Sequence, residues 1–229
     1  RELENHEYAR NSTRRCYFCK NELYSHLITI AEQSRDDSAP ACRTGRSRPY
    51  VIVNGINCDD LLDWRPGLEA AREYEIKSPL VEAGFGKEEI RSYSRELGLS
   101  TWSKPQAACL SSRIPFGTNV TLDRLKQIEE GEEILQELGF NVVRLRWFGE
   151  RALIEVGAEE TAAFFRNPGI RQSVLIRLKE LGFNTIDIDL DGYRSGRFNP
   201  KPTLARTRDP SLLALTPSMP RTQDDDRDG

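Results

Sequence analysis

Histidine is scarce in this chain, with only His6 and His26 among 229 residues, too few for a histidine-rich metal site. His26 falls at helical spacing on an amphipathic stretch, where a packing or surface role is the simpler reading. No apolar run approaches the roughly 18 residues of a membrane span, and no secretion signal stands at the front. An excess of one charge sign is missing too. The 33 Lys and Arg against 36 Asp and Glu leave a net charge of -3, with both signs interspersed and no basic surface suited to nucleic acid. The chain also lacks an initiator Met, beginning at Arg1, which raises the expectation of a segment removed upstream. These absences lead us to expect a cytoplasmic protein with neither a membrane nor a nucleic-acid partner.

What is present suits a globular protein: 30% charged and 38% apolar residues, in a length that allows one large domain or two small ones. Five cysteines, Cys16, Cys19, Cys42, Cys58 and Cys109, make an odd count. Without a secretion signal, that argues for reduced thiols rather than a disulfide framework.

Apolar periodicity predicts a helix over 17–31, followed by a polar stretch, Gln33 to Arg48, that reads as a loop or insertion. Tyr50-Val51-Ile52-Val53 is continuously apolar and closed by Asn54-Gly55, the pattern of a strand buried on both faces. Helices are expected over 67–73 and 86–97, with a short strand at 74–76 between them. Thr121 is a candidate N-cap for a helix burying Leu122, Leu125, Ile128, Leu135 and Leu138. Strands over 142–147 and 152–156, a helix over 170–181 and a strand over 184–190 complete a compact α+β pattern. Glu137-Leu138-Gly139-Phe140-Asn141 recurs as Glu180-Leu181-Gly182-Phe183-Asn184, each copy ending a helix with Gly at C′. The Pro-, Arg- and Asp-rich stretch 201–229 lacks periodicity and reads as a disordered tail.

Several residues can carry chemistry. Cys109 lies in Lys104-Pro105-Gln106-Ala107-Ala108-Cys109-Leu110-Ser111-Ser112-Arg113. A thiol flanked by cations favours its reactive thiolate, and the N–H groups near Ser111 and Ser112 suit an oxyanion. The plainer reading is a buried cysteine packed as a small hydrophobe. Cys16 and Cys19 form Cys-Tyr-Phe-Cys at a helix start: half a zinc site, a redox pair, part of an iron–sulfur site, or two thiols with no metal. Three sulfurs, Cys16, Cys19 and Cys109, would ligate three irons of a cubane cluster and leave the fourth open.

Asp59 and Asp60 follow the expected buried strand, where α/β sheets place ligands. They suit Mg²⁺ with phosphate, or a helix cap. Arg65 precedes a helix start and is placed to reach an anion. Arg144 and Arg146 share one face of a strand as a phosphate or carboxylate clamp. Glu155, on the next strand, is an orienting or acid/base carboxylate, or the ion-pair partner of an arginine. Arg194, in the Gly-bounded turn Asp191 to Gly196, suits anion contact or a plain surface turn.

Taken in order, Arg15-Cys16-Tyr17-Phe18-Cys19-Lys20, Asn54 to Gly67, Lys77-Ser78-Pro79-Leu80, Trp102 to Gly117, Arg144 to Glu155 and Asp191 to Asn199 resemble the LarE family. Those proteins are ATP-dependent sulfur transferases that build the nickel-pincer cofactor of lactate racemase. The resemblance spans about residues 14–199. It implies an α/β fold: a partial Rossmann-like parallel sheet of the pyrophosphatase-loop (adenine-nucleotide alpha hydrolase) type within 1–117, then a small α+β domain over 118–200.

It also implies that ATP, with Mg²⁺, activates a carboxylate of a pyridinium-biscarboxylate mononucleotide, and that Cys109 supplies the sulfur. In the single-cysteine form that residue is consumed to dehydroalanine. In the three-cysteine form, matched here by Cys16, Cys19 and Cys109, a [4Fe-4S] cluster carries the sulfide. Arg113, Arg144, Arg146, Glu155 and Arg194 then belong to the substrate or phosphate site, Asp59 and Asp60 to the nucleotide and metal. A homo-oligomer is expected.

Two departures qualify the resemblance. The family's Ser-Gly-Gly-x-Asp-Ser pyrophosphate loop is absent from the sequence, so the chain is expected to be a fragment unable to adenylate alone, with apolar surface exposed beside Val51 and Ile52. The stretch 33–48 is longer than usual and carries Cys42, and Cys58 replaces a small residue beside the Asp pair. The competing readings are a tRNA thiolase, which would want a basic surface; an amide-forming synthetase, which would not need Cys109; and a non-catalytic remnant that binds a cluster or metal.

Overall fold

Thr121 is extended, and its side chain accepts a hydrogen bond from Arg124 N at 3.4 Å, opening a helix over Leu122–Glu137 (α6). In the computed structural model this helix lies on the three-stranded sheet that organises the larger of two units. The structure describes residues 2–34, 50–104 and 107–199. Most of the polar stretch 33–48, with Cys42, and the whole of 201–229 lie outside the described residues. Among the described residues, the larger unit takes in 2–34, 66–74 and 104–199, and the smaller takes in 50–65 and 75–103.

In the larger unit, α1 (His6–Ala9), α2 (Arg15–Gln33) and α3 (Gly67–Glu73) precede α6, followed by β1 (Val143–Phe148), β2 (Arg151–Val156), α7 (Ala162–Arg166), α8 (Pro168–Glu180) and β3 (Thr185–Ile188). β1 and β2 are antiparallel, with Arg144 opposite Glu155 and Arg146 opposite Leu153. β2 and β3 are parallel, with Leu153 opposite Asp187, and α7 and α8 fill the connection that a parallel pair requires.

The core side of the strands is aliphatic. Val143, Leu145, Ala152, Ile154 and Val156 are almost completely buried with Ile128, Leu135, Val174 and Leu178. Gly131 of α6 allows close approach, since a Cβ there would stand 2.7 Å from Leu145 Cδ1. Ile134 and Gly131 join the buried side of α6, whereas Leu122, expected there, is 55% exposed.

The repeated Leu-Gly-Phe-Asn segments are two copies of one helix stop. Gly139 and Gly182 take φ +97° and +94°. Their N–H groups reach Gln136 O and Lys179 O at 2.9 Å, while Phe140 N and Phe183 N reach Leu135 O at 3.2 Å and Leu178 O at 3.1 Å. This is the Schellman pattern, with its hydrophobic contact supplied by each Phe folding into the core. Each burial stabilises by about 1.5–3 kcal/mol. The short helix α7 was not expected from the sequence.

In the smaller unit, 50–53 does not form the two-side-buried strand expected of it. Val53 makes one parallel bridge with Lys77, framed by Asn54 N→Lys77 O at 2.9 Å and Lys77 N→Ile52 O at 3.0 Å. The 74–76 strand does not form: Tyr74 and Glu75 turn the chain, and the bridge falls just beyond, at Lys77. Val51 and Val53 are 51% and 58% exposed. The pairing is parallel, but the described residues supply no further strand to extend the ladder or cover its faces. The described fold is therefore mixed α/β, and its one sheet is itself mixed. α4 (Pro79–Glu82) and α5 (Lys87–Glu96) complete this unit. Among the described residues no helix is long and apolar enough to cross a membrane.

Candidate active site

The site is built where the start of α2 meets the segment 107–120. Asn5 caps α1, accepting from Glu7 N at 3.0 Å and Tyr8 N at 3.3 Å. Two residues past α1, Asn11 turns the chain with φ 54°, a left-handed conformation that Asn tolerates. Its fully buried side chain donates to the carbonyls of Ile114 (3.2 Å), Pro115 (2.8 Å) and Thr118 (2.9 Å). Gly117 N→Asn11 O at 2.9 Å and Val120 N→Ala9 O at 2.8 Å add backbone links. Arg15, also buried, donates through Nη1 to Asn11 Oδ1 and to Ser111 O, the latter at 2.8 Å. The Tyr8 and Ser111 hydroxyls meet at 2.6 Å.

Cys109 sits at the head of a 3-10 turn, Leu110–Arg113, with Ser112 N donating to its carbonyl at 2.9 Å. Its side chain belongs to an exposed residue, as does that of Cys16, while Cys19 is half-buried; the four described cysteines are free thiols. Cys16 and Cys19 stand at i, i+3 in the first turn of α2, adjacent on one helix face. Burial pushes the Cys19 thiol up from its ordinary value, and the negative charges of Glu2, Cys109 and Cys16 add to this while Lys20 opposes it. The Tyr8 phenol is raised by burial and by Cys109 and Cys19, against the Ser111 hydrogen bond and Arg15. The three thiols thus share one neighbourhood. Among the described residues, however, no group of three or more His, Cys, Asp or Glu side chains is placed to hold a single metal ion.

Behind the turn lies a layer of buried charge. Arg113 forks onto Glu132, Nε to Oε1 at 2.9 Å and Nη2 to Oε2 at 2.8 Å. Its Nη1 reaches the carbonyls of Ala108 (2.8 Å) and Cys109 (3.0 Å). Glu132 also accepts from Leu145 N at 2.8 Å, fixing α6 to β1. Arg146 donates twice to Glu155 Oε2, at 3.0 and 2.7 Å, and to Ser112 O at 2.9 Å. Glu155 has no exposed surface, and its other oxygen accepts from Arg197 at 2.6 Å.

Arg197 also pairs with Asp189. Burial pushes the Asp189 carboxyl up, but Arg197, the Asp191 N–H and Arg194 outweigh it and hold the group below the usual carboxylate range. Arg144 is buried with its guanidinium 4.8 Å from the Tyr193 ring. Burial and the neighbouring Arg113 lower it from the ordinary arginine value. Arg194 is exposed and pairs with Asp191 at 3.1 Å.

The structure thus brings Cys16, Cys19, Cys109, Arg113, Arg144, Arg146 and Glu155 into one unit, with Arg113 and Arg146 both fastened to the Cys109 turn. Asp59 and Asp60 belong to the smaller unit, where both carboxylates have protein partners. Asp59 accepts from Lys87 N at 2.6 Å. Asp60 closes a capping box with Asn57 and lies 2.8 Å from Arg65 and 3.2 Å from Lys87. Cys58, half-buried, is held through its N–H to Phe85 O at 2.9 Å.

Five participants were not singled out in the sequence: Tyr8, Asn11, Arg15, Glu132 and Arg197. A signal existed for two. Glu132 interrupts the Ile128–Leu135 apolar stripe of α6, and Arg15 places a cation at a helix N-terminus, where the macrodipole disfavours it.

The arrangement is that of an exposed thiol with two neighbouring thiols, backed by buried arginines, in a mixed α/β unit. Three curated proteins match the chain over most of its length. The chain is 38% identical over 198 residues to the uncharacterized protein slr1717 of Synechocystis, covering 86% of this chain and 69% of that protein. It is 35% identical over 190 residues to the pyridinium-3,5-bisthiocarboxylic acid mononucleotide synthase of Lactiplantibacillus plantarum, covering 83% and 63%. With the uncharacterized protein MJ0830 of Methanocaldococcus jannaschii it shares 31% over 186 residues, covering 81% and 66%. No family model matches the chain.

On these matches the chain belongs to the LarE family. It spans about two thirds of the length of the curated relatives it matches.

Proposed function

We propose that the chain works as an ATP-dependent sulfur transferase, converting an adenylated pyridinium-biscarboxylate mononucleotide to a thiocarboxylate. The observation that carries this reading is the presentation of Cys109. Its thiol is exposed at the head of a turn whose backbone is fastened by Arg113 and Arg146.

A thiolate there attacks the activated acyl carbon and expels AMP, leaving a thioester. Loss of the Cys109 Cα proton and cleavage of its Cβ–S bond then give the thiocarboxylate and dehydroalanine, with the sulfur retained by the product. Arg113 and Arg146, with Arg144 in the same layer, are candidate contacts of the anionic substrate only if they exchange Glu132 and Glu155 for it. Glu155, saturated by Arg146 and Arg197, serves this reading by orienting arginines rather than by moving protons.

The same three thiols suit a second sulfur source. Cys19 interacts electrostatically with both Cys16 and Cys109. Two exposed thiols and a half-buried one suit a cluster, whose ligands bind separate irons, better than a single ion. Cys16, Cys19 and Cys109 would hold a [4Fe-4S] cluster, which supplies exchangeable sulfide in place of the cysteine's own sulfur.

ATP and Mg²⁺ are required by the reading. Asp59 and Asp60 are their candidate ligands only if they exchange Lys87 and Arg65 for phosphate or metal. A cytoplasmic homo-oligomer acting on a small mononucleotide, without nucleic acid or membrane, completes the proposal.

Supplying the adenylated mononucleotide tests it. Release of AMP together with a product heavier by sulfur in place of oxygen supports the reading. AMP with only an amide or unmodified acid recovered overturns it.

A further inference from the structure

Tyr8, Asn11 and Arg15 lie outside the charged layer, yet all three close on the segment that carries Cys109. Arg15 is the residue before Cys16 and spends one guanidinium nitrogen on Ser111 O at 2.8 Å and on Asn11 Oδ1. Asn11 holds three carbonyls of 114–118, and the Tyr8 hydroxyl meets Ser111 Oγ at 2.6 Å. All three side chains are buried. The bonds join positions roughly a hundred apart in sequence, and two of them end on Ser111, two residues after Cys109. No other contact described above ties the Cys109 turn to the start of α2.

We propose that Tyr8, Asn11 and Arg15 form a clasp that sets the distance between Cys109 and the Cys16–Cys19 turn, making them positioning residues of the sulfur site. The proposal deepens the sulfur-transfer reading in its consequence, but the geometry it asserts is independent of whether sulfur is transferred. Loosening the clasp separates the thiols without removing any of them.

The test is thiol–disulfide exchange with oxidised glutathione in the full chain, with Cys16, Cys42 and Cys58 replaced by serine. One thiolate displaces glutathione thiolate to form a mixed disulfide, and the other displaces the second glutathione to form Cys19–Cys109. The ratio of internal to mixed disulfide, read by mass spectrometry, gives an effective concentration. Proximity predicts a value of roughly millimolar or higher. Arg15→Ala should lower it at least about tenfold, and Arg15→Lys, whose ammonium can donate to both acceptors, should recover most of the loss.

Tyr8→Phe keeps the ring and removes only the hydroxyl. It decides the matter if Arg15→Ala does not fold, with an expected fall of roughly threefold. A purely structural role would lower the melting temperature and leave the ratio in the folded protein unchanged. That result, or failure of the unaltered clasp to give any Cys19–Cys109 disulfide, overturns the proposal. Intact exchange with no sulfur transfer would count against the proposed function alone.

Discussion

The Glu155 carboxylate and the Arg146 guanidinium meet at 2.7 and 3.0 Å on neighbouring strands, with no Glu155 surface exposed to water. Removing one member of such a pair strands a buried charge. Glu155→Ala is expected to destabilise the chain by about 3–5 kcal/mol. Glu155→Gln, which keeps an acceptor, should lose less. Urea denaturation with an unchanged slope would measure both, and an alanine cost below that of the glutamine variant would contradict the pairing.

Arg113 forks onto Glu132 while holding the carbonyls of Ala108 and Cys109. Lysine cannot reproduce that fork. Arg113→Lys should therefore cost about 2–3 kcal/mol, in the range for a lost buried charged hydrogen bond. It should also change the alkylation rate of Cys109 while leaving that of Cys58 in place. Equal shifts at both cysteines would mean a general loosening instead.

Glu160 provides a pH signature. Burial pushes its carboxyl up, but the N–H groups of Asn141, Val142 and Gly157, with the Asn141 side chain, outweigh that and hold it below the usual value. A depressed carboxyl favours the folded state when ionised. Its contribution is complete above the unfolded value near 4.5, and is lost as pH falls through the lower folded value. Glu160→Gln should thus cost about 1–2 kcal/mol at neutral pH, and the gap from the parent should close in acid. A gap that widened in acid would reverse the sign.

Two glycines separate two kinds of strain. Gly131→Ala drives a methyl to 2.7 Å from Leu145 Cδ1 and should cost about 1–3 kcal/mol by overpacking. Gly139→Ala meets open space but keeps φ +97°, costing about 1–2 kcal/mol through backbone strain. Leu145→Val should rescue the first and not the second.

What the sequence discloses about this fold follows from range. The duplicated Leu-Gly-Phe-Asn stops and the Thr121 cap are local, and both appear as read. The alternation in 142–147 and 152–156 put Arg144 and Arg146 on one face of a strand and offered Glu155, on the next, as an arginine's partner before any pairing was known. Tyr50–Val53 misled because four apolar residues report hydrophobicity, not the number of neighbouring strands. Arg197 and Asn11 escaped because one reaches Glu155 from an irregular segment and the other depends on carbonyls over a hundred positions away. Neither leaves a periodic trace.

The central claim is that Cys109 is the point from which sulfur leaves. The direct measurement is the mass of the product formed from the adenylated mononucleotide by the parent chain, by Cys109→Ala and by Cys58→Ser. The account predicts thiocarboxylate from the parent and from Cys58→Ser, and none from Cys109→Ala. Thiocarboxylate formed at the parental rate by Cys109→Ala would contradict it.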